Sequence, residues 1–225
     1  MPHNLLPPEL GPWPDTSAAH AAVDLITAHE PVYLVHHSIR SYVYGRHFAQ
    51  AQGLRPDVDY SDELHFLAAV LHDIGLTDQA DGSQRFEVDG ADRAAEFVRS
   101  QGFSQDDAEI VWDAVALHTS AGIADRKRPE IAFTHRGITA DIFGLDAEHL
   151  DHNLVEAANR HLPRLALPTR LMADVARQVA ANPAKFVPFT FVSGAVQYAA
   201  PHLSVPDTRA ILSASHWADA DSATA

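Results

Sequence analysis

Apolar residues recur with helical spacing along most of this 225-residue chain, and residues that begin or end helices separate the segments. The alternation of apolar and polar residues that marks a half-buried strand is scarce. The best strand candidate, residues 186–192, is interrupted by Pro188. The pattern therefore predicts an all-α protein, and the length allows a single helical domain with at most a small addition.

The predicted helices share a polar or proline residue at their start, and a glycine follows several of them. Ser104 and Asp107 also have the spacing of a capping box, with Asp in place of the usual Glu or Gln. The first predicted helix ends near residue 29. The others cover residues 32–52, 64–71, 87–100, 105–118, 129–143, 168–181 and 206–213.

The two ends of the chain differ from this helical pattern. Residues 1–15 hold five prolines and predict an extended arm, while residues 216–225 predict a disordered tail. The helical domain is expected over residues 16–215. Apolar side chains of the arm are expected to attach it to the body or to a second subunit, which leaves a homodimer open: Leu5, Leu6, Leu10 and Trp13.

Charge and cysteine content exclude several classes of function. Lys and Arg number 16 against 30 Asp and Glu, so the formal charge is −14. Nucleic acids and anionic membranes are therefore unexpected partners, whereas a small-molecule substrate is compatible with this charge. With no cysteine, disulfides and thiolate zinc sites are impossible. No signal peptide or membrane-spanning run is visible, so we expect a cytoplasmic protein.

Histidine and aspartate at three places suggest a metal site. His37, the pair His72-Asp73, and Asp141 each lie within or at the end of a predicted helix. Any one of them alone is more often a hydrogen-bonded structural residue. However, His72-Asp73 follows the apolar run 67–71, where an ionisable pair is costly to bury without a partner. Imidazole and carboxylate ligands suit Zn, Fe, Mn, Co or Ni.

The order of these residues resembles a known signature. Leu71-His72-Asp73-Ile74-Gly75, preceded by His37 and followed by Asp141, is similar to the H…HD…D pattern of the HD-domain metal-dependent hydrolases. The chain resembles most closely the cyanamide-hydratase-like branch of that superfamily. The stretches that carry this further resemblance are residues 37–45, 85–91, 116–120 and 163–165.

The resemblance implies an HD-type helical bundle with one divalent ion, held by His37, His72, Asp73 and Asp141. Zinc is the expected metal, with Fe, Mn, Ni or Co as alternatives. His36 competes with His37, which is preferred because an arginine, here Arg40, follows the family's first histidine.

The resemblance also bears on the number of ions. Two-metal members add histidines, for which this chain offers His118 and His135. Glu87 stands where phosphohydrolase members often place a histidine, which favours a single ion.

Further residues have a catalytic and a structural interpretation. Asp73 is the expected proton acceptor, and His118 and Thr119 are expected to orient the substrate, although both also lie where a helix ends. Glu87 either orients water or merely favours the first turn of its helix. Arg40 either binds substrate or pairs with a carboxylate.

The implied function is addition of metal-activated water to a small nitrile-like substrate such as cyanamide. The alternative is a metal-dependent phosphohydrolase that acts on a nucleotide or small phosphate monoester. A two-iron oxygenase and a non-catalytic ligand-binding module rank below both.

Overall fold

The structure is a computed structural model that describes residues 7–80 and 82–216, and this part of the chain forms helices and no β-strand. The all-α prediction is confirmed. The helices are α1 (Ser17–His29), α2 (Val32–Ala51), α3 (Asp62–Leu71), α4 (Phe86–Ser100), α5 (Gln105–Leu117), α6 (Pro129–Phe143), α7 (His152–His161), α8 (Leu167–Ala181), α9 (Phe191–Ala199) and α10 (Thr208–Ser213).

Two helices lie where the sequence pattern predicted none. Helix α7 buries only Ala157 and Ala158, so its apolar face is too small to stand out in the sequence. Residues 186–192, the best strand candidate, form no strand: this segment runs through a turn, and Phe191 begins α9. Phe186 and Phe191 pack against buried apolar residues of α8 and α9, whereas Phe189 is exposed, so the spacing of these rings does not reflect strand alternation.

Helix α3 lies at the centre of the larger core and carries the His72-Asp73 pair at its end. Its residues 64–71 are all buried, and α1, α2, α4, α5 and α6 contact it. The stretch 66–71, which is apolar on all sides, requires such an environment. Side chains of α8 and α9 form a second core with Tyr33, Leu34 and Phe86. The end of α3 therefore lies where the two cores meet.

Helices α2 and α6 approach closely because each carries a glycine at the contact. A Cβ atom on Gly137 would lie 1.9 Å from the backbone oxygen of Ser41, and one on Gly45 would lie 2.4 Å from that of Phe133. Only glycine permits this backbone approach. The contact brings His37 on α2 beside Asp141 on α6.

The described part of the N-terminal arm packs against the body of the protein. Leu10 is buried, and the Trp13 ring lies 5.5 Å from that of Phe66. Leu5 and Leu6 lie outside the described residues, as do residues 217–225 of the predicted tail. Among the described helices, none is both long and apolar enough to cross a membrane.

Candidate metal centre

Three ligand atoms converge at the end of α3. His37 Nε2 lies 3.1 Å from His72 Nε2, and Asp73 Oδ2 lies 3.2 Å from His72 Nε2 and 3.8 Å from His37 Nε2. His37 and His72 have no exposed surface, and Asp73 is 2% exposed. Helix α2 supplies the first histidine, while the other two residues follow α3 directly.

Hydrogen bonds orient both imidazole rings. His72 Nδ1 donates to the Ala69 carbonyl at 2.7 Å, and His37 Nδ1 donates to Asp141 Oδ2 at 2.7 Å. Since carbonyl and carboxylate oxygens only accept, each Nδ1 carries the proton and each Nε2 presents a lone pair. His36 instead is partly exposed, with Nδ1 3.0 Å from the Pro163 carbonyl, so His37 is the histidine that faces the cluster.

The donor set fits a divalent cation. Two imidazole lone pairs that face each other at 3.1 Å repel unless a cation lies between them. Asp73 Oδ2 is also buried without a hydrogen-bond partner among the described residues. Ligands about 2.0–2.2 Å from one tetrahedral ion lie roughly 3.3–3.6 Å apart, close to the separations observed here.

The charge of Asp73 suits this role. Burial alone would raise the pKa of Asp73, but the imidazoles of His72 and His37 outweigh burial and hold it well below its usual range. The same neighbouring carboxylate raises the pKa of His72 despite the opposing effect of burial. The cluster thus provides one ionised oxygen and two nitrogens for a metal.

Asp141, the fourth predicted ligand, lies on the far side of the His37 ring. Its fully buried carboxylate accepts from Arg40 Nε and Nη2, each at 2.8 Å, and from Arg164 Nη1 at 2.8 Å. Arg164 also donates to the Asp141 backbone carbonyl. Burial alone would raise the pKa of Asp141, but His37 and Arg40 hold it well below its usual range. In this geometry Asp141 orients His37, as carboxylates behind metal-ligating histidines do.

Asp141 therefore lies outside the group of mutually close ligand atoms, which comprises His37, His72 and Asp73. Its direct ligation of the ion stays a prediction. Of the two roles expected for Arg40, the structure shows the pairing with a carboxylate. Its Nη1 also donates to the Leu162 carbonyl at 2.5 Å. The sequence analysis missed Arg164 as a partner, although it lies within the family-like stretch 163–165.

A cavity of about 110 Å³ adjoins Asp73. Phe86, Leu171 and Phe191 form part of its apolar wall, so the second core closes one side of it. The described residues that line it include no lysine and no arginine. The cavity places a small, mainly apolar volume directly beside the candidate metal ligand Asp73.

His118 contributes a neutral imidazole to this cavity. Its Nδ1 donates to the Val115 carbonyl at 2.6 Å, and its ring lies 5.0 Å from that of His72. Burial, assisted by His72, lowers the pKa of His118 to about 3. At neutral pH its Nε2 is therefore a hydrogen-bond acceptor.

His135 also lines the cavity, with Nδ1 donating to the His118 carbonyl at 2.7 Å. Neither His118 nor His135 belongs to the close ligand group of the described residues. A second ion at these two histidines has no support from this geometry.

Thr119 lies at the cavity, and Glu87 lies behind it. Thr119 Oγ1 donates to Glu87 Oε1 at 2.9 Å, while Arg85 holds the same carboxylate with contacts of 2.8 and 3.1 Å. Glu87 is fully buried but does not line the cavity. It therefore positions Thr119. Arg85 was not anticipated as a partner, although it begins the family-like stretch 85–91.

Comparison with protein families agrees with this site. A family model described as the HD domain matches residues 34–179, which is 146 of the 225 residues and includes His37, His72, Asp73 and Asp141. No curated protein shows significant similarity to the chain. The match over well more than half of the sequence, together with the His–Asp cluster at the end of α3, shows that this chain belongs to the HD-domain family of metal-dependent hydrolases.

Proposed function

We propose that this protein hydrates a small, uncharged nitrile-like compound with N–H groups, such as cyanamide, at a single divalent ion. The observation that carries the proposal is the character of the cavity beside Asp73. It is small and mainly apolar, and its polar side chains present hydrogen-bond acceptors.

Each polar side chain of the cavity has its donor occupied elsewhere. His118 and His135 use their Nδ1 protons on backbone carbonyls, and Thr119 directs its hydroxyl proton to Glu87. Thr139 donates to the His135 carbonyl at 3.0 Å. Together with the Asp73 carboxylate, these groups offer lone pairs to a ligand, so they favour a substrate that donates N–H groups.

The volume of the cavity favours a small substrate. About 110 Å³ is several times the roughly 10–15 Å³ that one water molecule needs on the same scale. A molecule of a few non-hydrogen atoms can occupy the cavity together with one attacking water. Most of a nucleotide would lie outside it.

The phosphohydrolase alternative is disfavoured by the same features. Phosphate oxygens only accept hydrogen bonds and are normally held by cationic donors. The nearby guanidinium groups are engaged, with Arg40 and Arg164 on Asp141 and Arg85 on Glu87. None of these three side chains lines the cavity.

A bound divalent ion, with zinc as the expected metal, would supply hydroxide at neutral pH by lowering the pKa of a water toward about 7. His37 and His72 would hold the ion, with Asp73 as the third ligand and proton acceptor. Asp141 keeps the His37 ring in place, and Thr119 and His118 accept the N–H groups of the substrate.

In the reaction, the water oxygen bonds to the nitrile carbon as one π bond of C≡N breaks. The nitrile nitrogen takes up the proton that Asp73 accepted from the water. With cyanamide, the resulting isourea becomes urea by moving a proton from oxygen to nitrogen. No redox partner is required.

The test combines metal analysis with product detection. We expect about one divalent ion per chain and conversion of cyanamide to urea, with both lost in His72→Ala. Asp59→Asn is the control, since Asp59 pairs with Arg55 on the surface. A metal-loaded protein that hydrolyses p-nitrophenyl phosphate and leaves cyanamide unchanged would refute the proposal.

A second variant tests the acceptor role of the cavity. Thr119→Val should raise KM for cyanamide about 10-fold or more, because the N–H group then meets a methyl group. KM for acetonitrile, which lacks N–H groups, should change little when turnover of acetonitrile is measured in the same way. Equal effects on both substrates would contradict the assigned role of Thr119.

A further inference from the structure

The cavity beside Asp73 reaches the surface at an apolar mouth. Asp73, His118 and Phe86 line the cavity and are each 2% exposed. Phe143 and Leu145 line it too, but they are 54% and 55% exposed. The lining therefore extends from a candidate metal ligand to solvent. Single exposed apolar side chains are ordinary on a protein surface, whereas two at the rim of one cavity mark a place where a ligand can contact the protein.

Aromatic rings connect this mouth to the inner end of the cavity. The Phe86 ring lies 5.6 Å from that of His118 and 6.2 Å from that of Phe191. The Phe191 ring in turn lies 6.4 Å from that of Phe143. Neighbouring rings are tilted to each other, as aromatic pairs prefer. The three phenylalanines thus form a continuous apolar wall that runs from a buried histidine to the surface.

The polar and apolar parts of the lining come from different elements. Asp73 and His118 follow α3 and α5 directly and adjoin the candidate metal, since the His118 ring lies 5.0 Å from that of His72. The apolar part comes from the start of α4, the end of α6, and from α8 and α9: Phe86, Ile142, Phe143, Leu171 and Phe191. A molecule with a polar group at the metal ligands and an apolar group against this wall would match both parts.

Cyanamide itself uses only the polar part of the cavity. It has no apolar group, and together with one attacking water it needs less than the available volume of about 110 Å³, because one water needs roughly 10–15 Å³ on the same scale. Contacts to a part of the substrate that does not react can supply binding energy for the reaction. An apolar substituent placed against the aromatic wall would supply it by leaving water.

We propose that the aromatic wall of Phe86, Phe191 and Phe143 is a subsite for a short apolar substituent carried by the substrate. Under the proposed function, on which this inference rests, the substrate is then a monosubstituted cyanamide, R–NH–C≡N. Its remaining N–H group is donated to the acceptors of the cavity. The water oxygen bonds to the nitrile carbon, and both water hydrogens end on the former nitrile nitrogen. The product is the monosubstituted urea, and the bond to R stays intact.

The test compares kcat/KM for N-propylcyanamide with kcat/KM for cyanamide in the metal-loaded protein. Because each buried methylene group contributes about fourfold to binding, the propyl compound should be favoured about 10-fold or more. Phe143→Ser should lower this preference about threefold or more. Phe189→Ser is the matched control, since Phe189 is 76% exposed and does not line the cavity, and it should keep the wild-type preference. Equal melting temperatures of the two variants would show that both fold alike.

Binding of the products provides a measurement that needs no turnover. In an NMR titration, N-propylurea should bind about 10-fold or more tightly than urea, and Phe143→Ser should weaken its binding about threefold. A wild-type protein that hydrates cyanamide but does not favour N-propylcyanamide would overturn the subsite and leave the proposed function intact.

The same titration separates the subsite from the reaction. If neither cyanamide is hydrated, the proposed function is overturned. Tighter binding of N-propylurea than of urea, weakened in Phe143→Ser and not in Phe189→Ser, would then still support the apolar subsite. Equal binding of the two ureas would overturn the subsite as well.

Discussion

Replacing Arg40 with methionine should lower the free energy of unfolding by about 3 kcal/mol. The Arg40 side chain is fully buried and donates two hydrogen bonds to Asp141, each at 2.8 Å, and a third to the Leu162 carbonyl. Methionine fills a similar volume and provides no donor. The variant therefore leaves a buried carboxylate and a carbonyl with fewer partners.

The magnitude follows from what remains around Asp141. Removing one partner of a buried ion pair typically costs about 3–5 kcal/mol. His37 and Arg164 still donate to this carboxylate, so the lower end of that range applies. The Arg164 side chain is 38% exposed, and water screens and replaces it, so Arg164→Met should cost about 1 kcal/mol or less.

The assay is urea unfolding of the metal-free protein, followed by far-UV circular dichroism. With a slope of about 3 kcal/mol per molar urea, Arg40→Met should move the midpoint down by about 1 M. Arg164→Met should move it by less than half of that. A loss below about 1 kcal/mol for Arg40→Met, or equal losses for the two variants, would refute the assignment of Arg40 as the main buried counter-ion of Asp141.

Two further predictions concern packing and pH. Gly137→Ala should lower the melting temperature by several degrees and weaken metal binding, because its Cβ would lie 1.9 Å from the Ser41 oxygen; calorimetry that shows an unchanged melting temperature would contradict the close contact. Burial lowers the pKa of His65 and of His118 to about 3, so the unfolded chain binds protons below about pH 6.5 that the native protein does not. The free energy of unfolding should therefore fall as the pH is lowered from about 6.5 to 5. Urea unfolding at each pH should show a smaller fall for His65→Gln than for the wild type. An equal fall in both proteins would show that His65 does not contribute.

Much of the helical architecture was accessible from the sequence. Helix starts such as Ser104 with Asp107, and the left-handed glycine after α6, Gly144, are local signals. Each depends on residues within one or two turns, so a single sequence reveals them. Helix α9 was not predicted, because its aromatic residues and the preceding Pro188 form no helical pattern in the sequence. Only their contacts in the folded protein account for the helix there.

The residues of the candidate site were likewise only partly predictable from the sequence. His72 and Asp73 were recognisable because an ionisable pair follows the apolar run 67–71, and His37 because Arg40 follows it. The order of these residues along the chain could not show which ring nitrogen or carboxylate oxygen each side chain directs towards the site.

The sequence by itself determined most of the helices, the absence of thiolate chemistry and the residues proposed to bind a metal. The tertiary structure alone decided that Asp141 faces Nδ1 of His37 and that both oxygens of Glu30 are buried without a hydrogen-bond partner among the described residues. The physical reason is distance along the chain. Capping and helical periodicity act between close neighbours, whereas the contact between His37 and Asp141 joins residues 104 apart and depends on two helices packed at glycines.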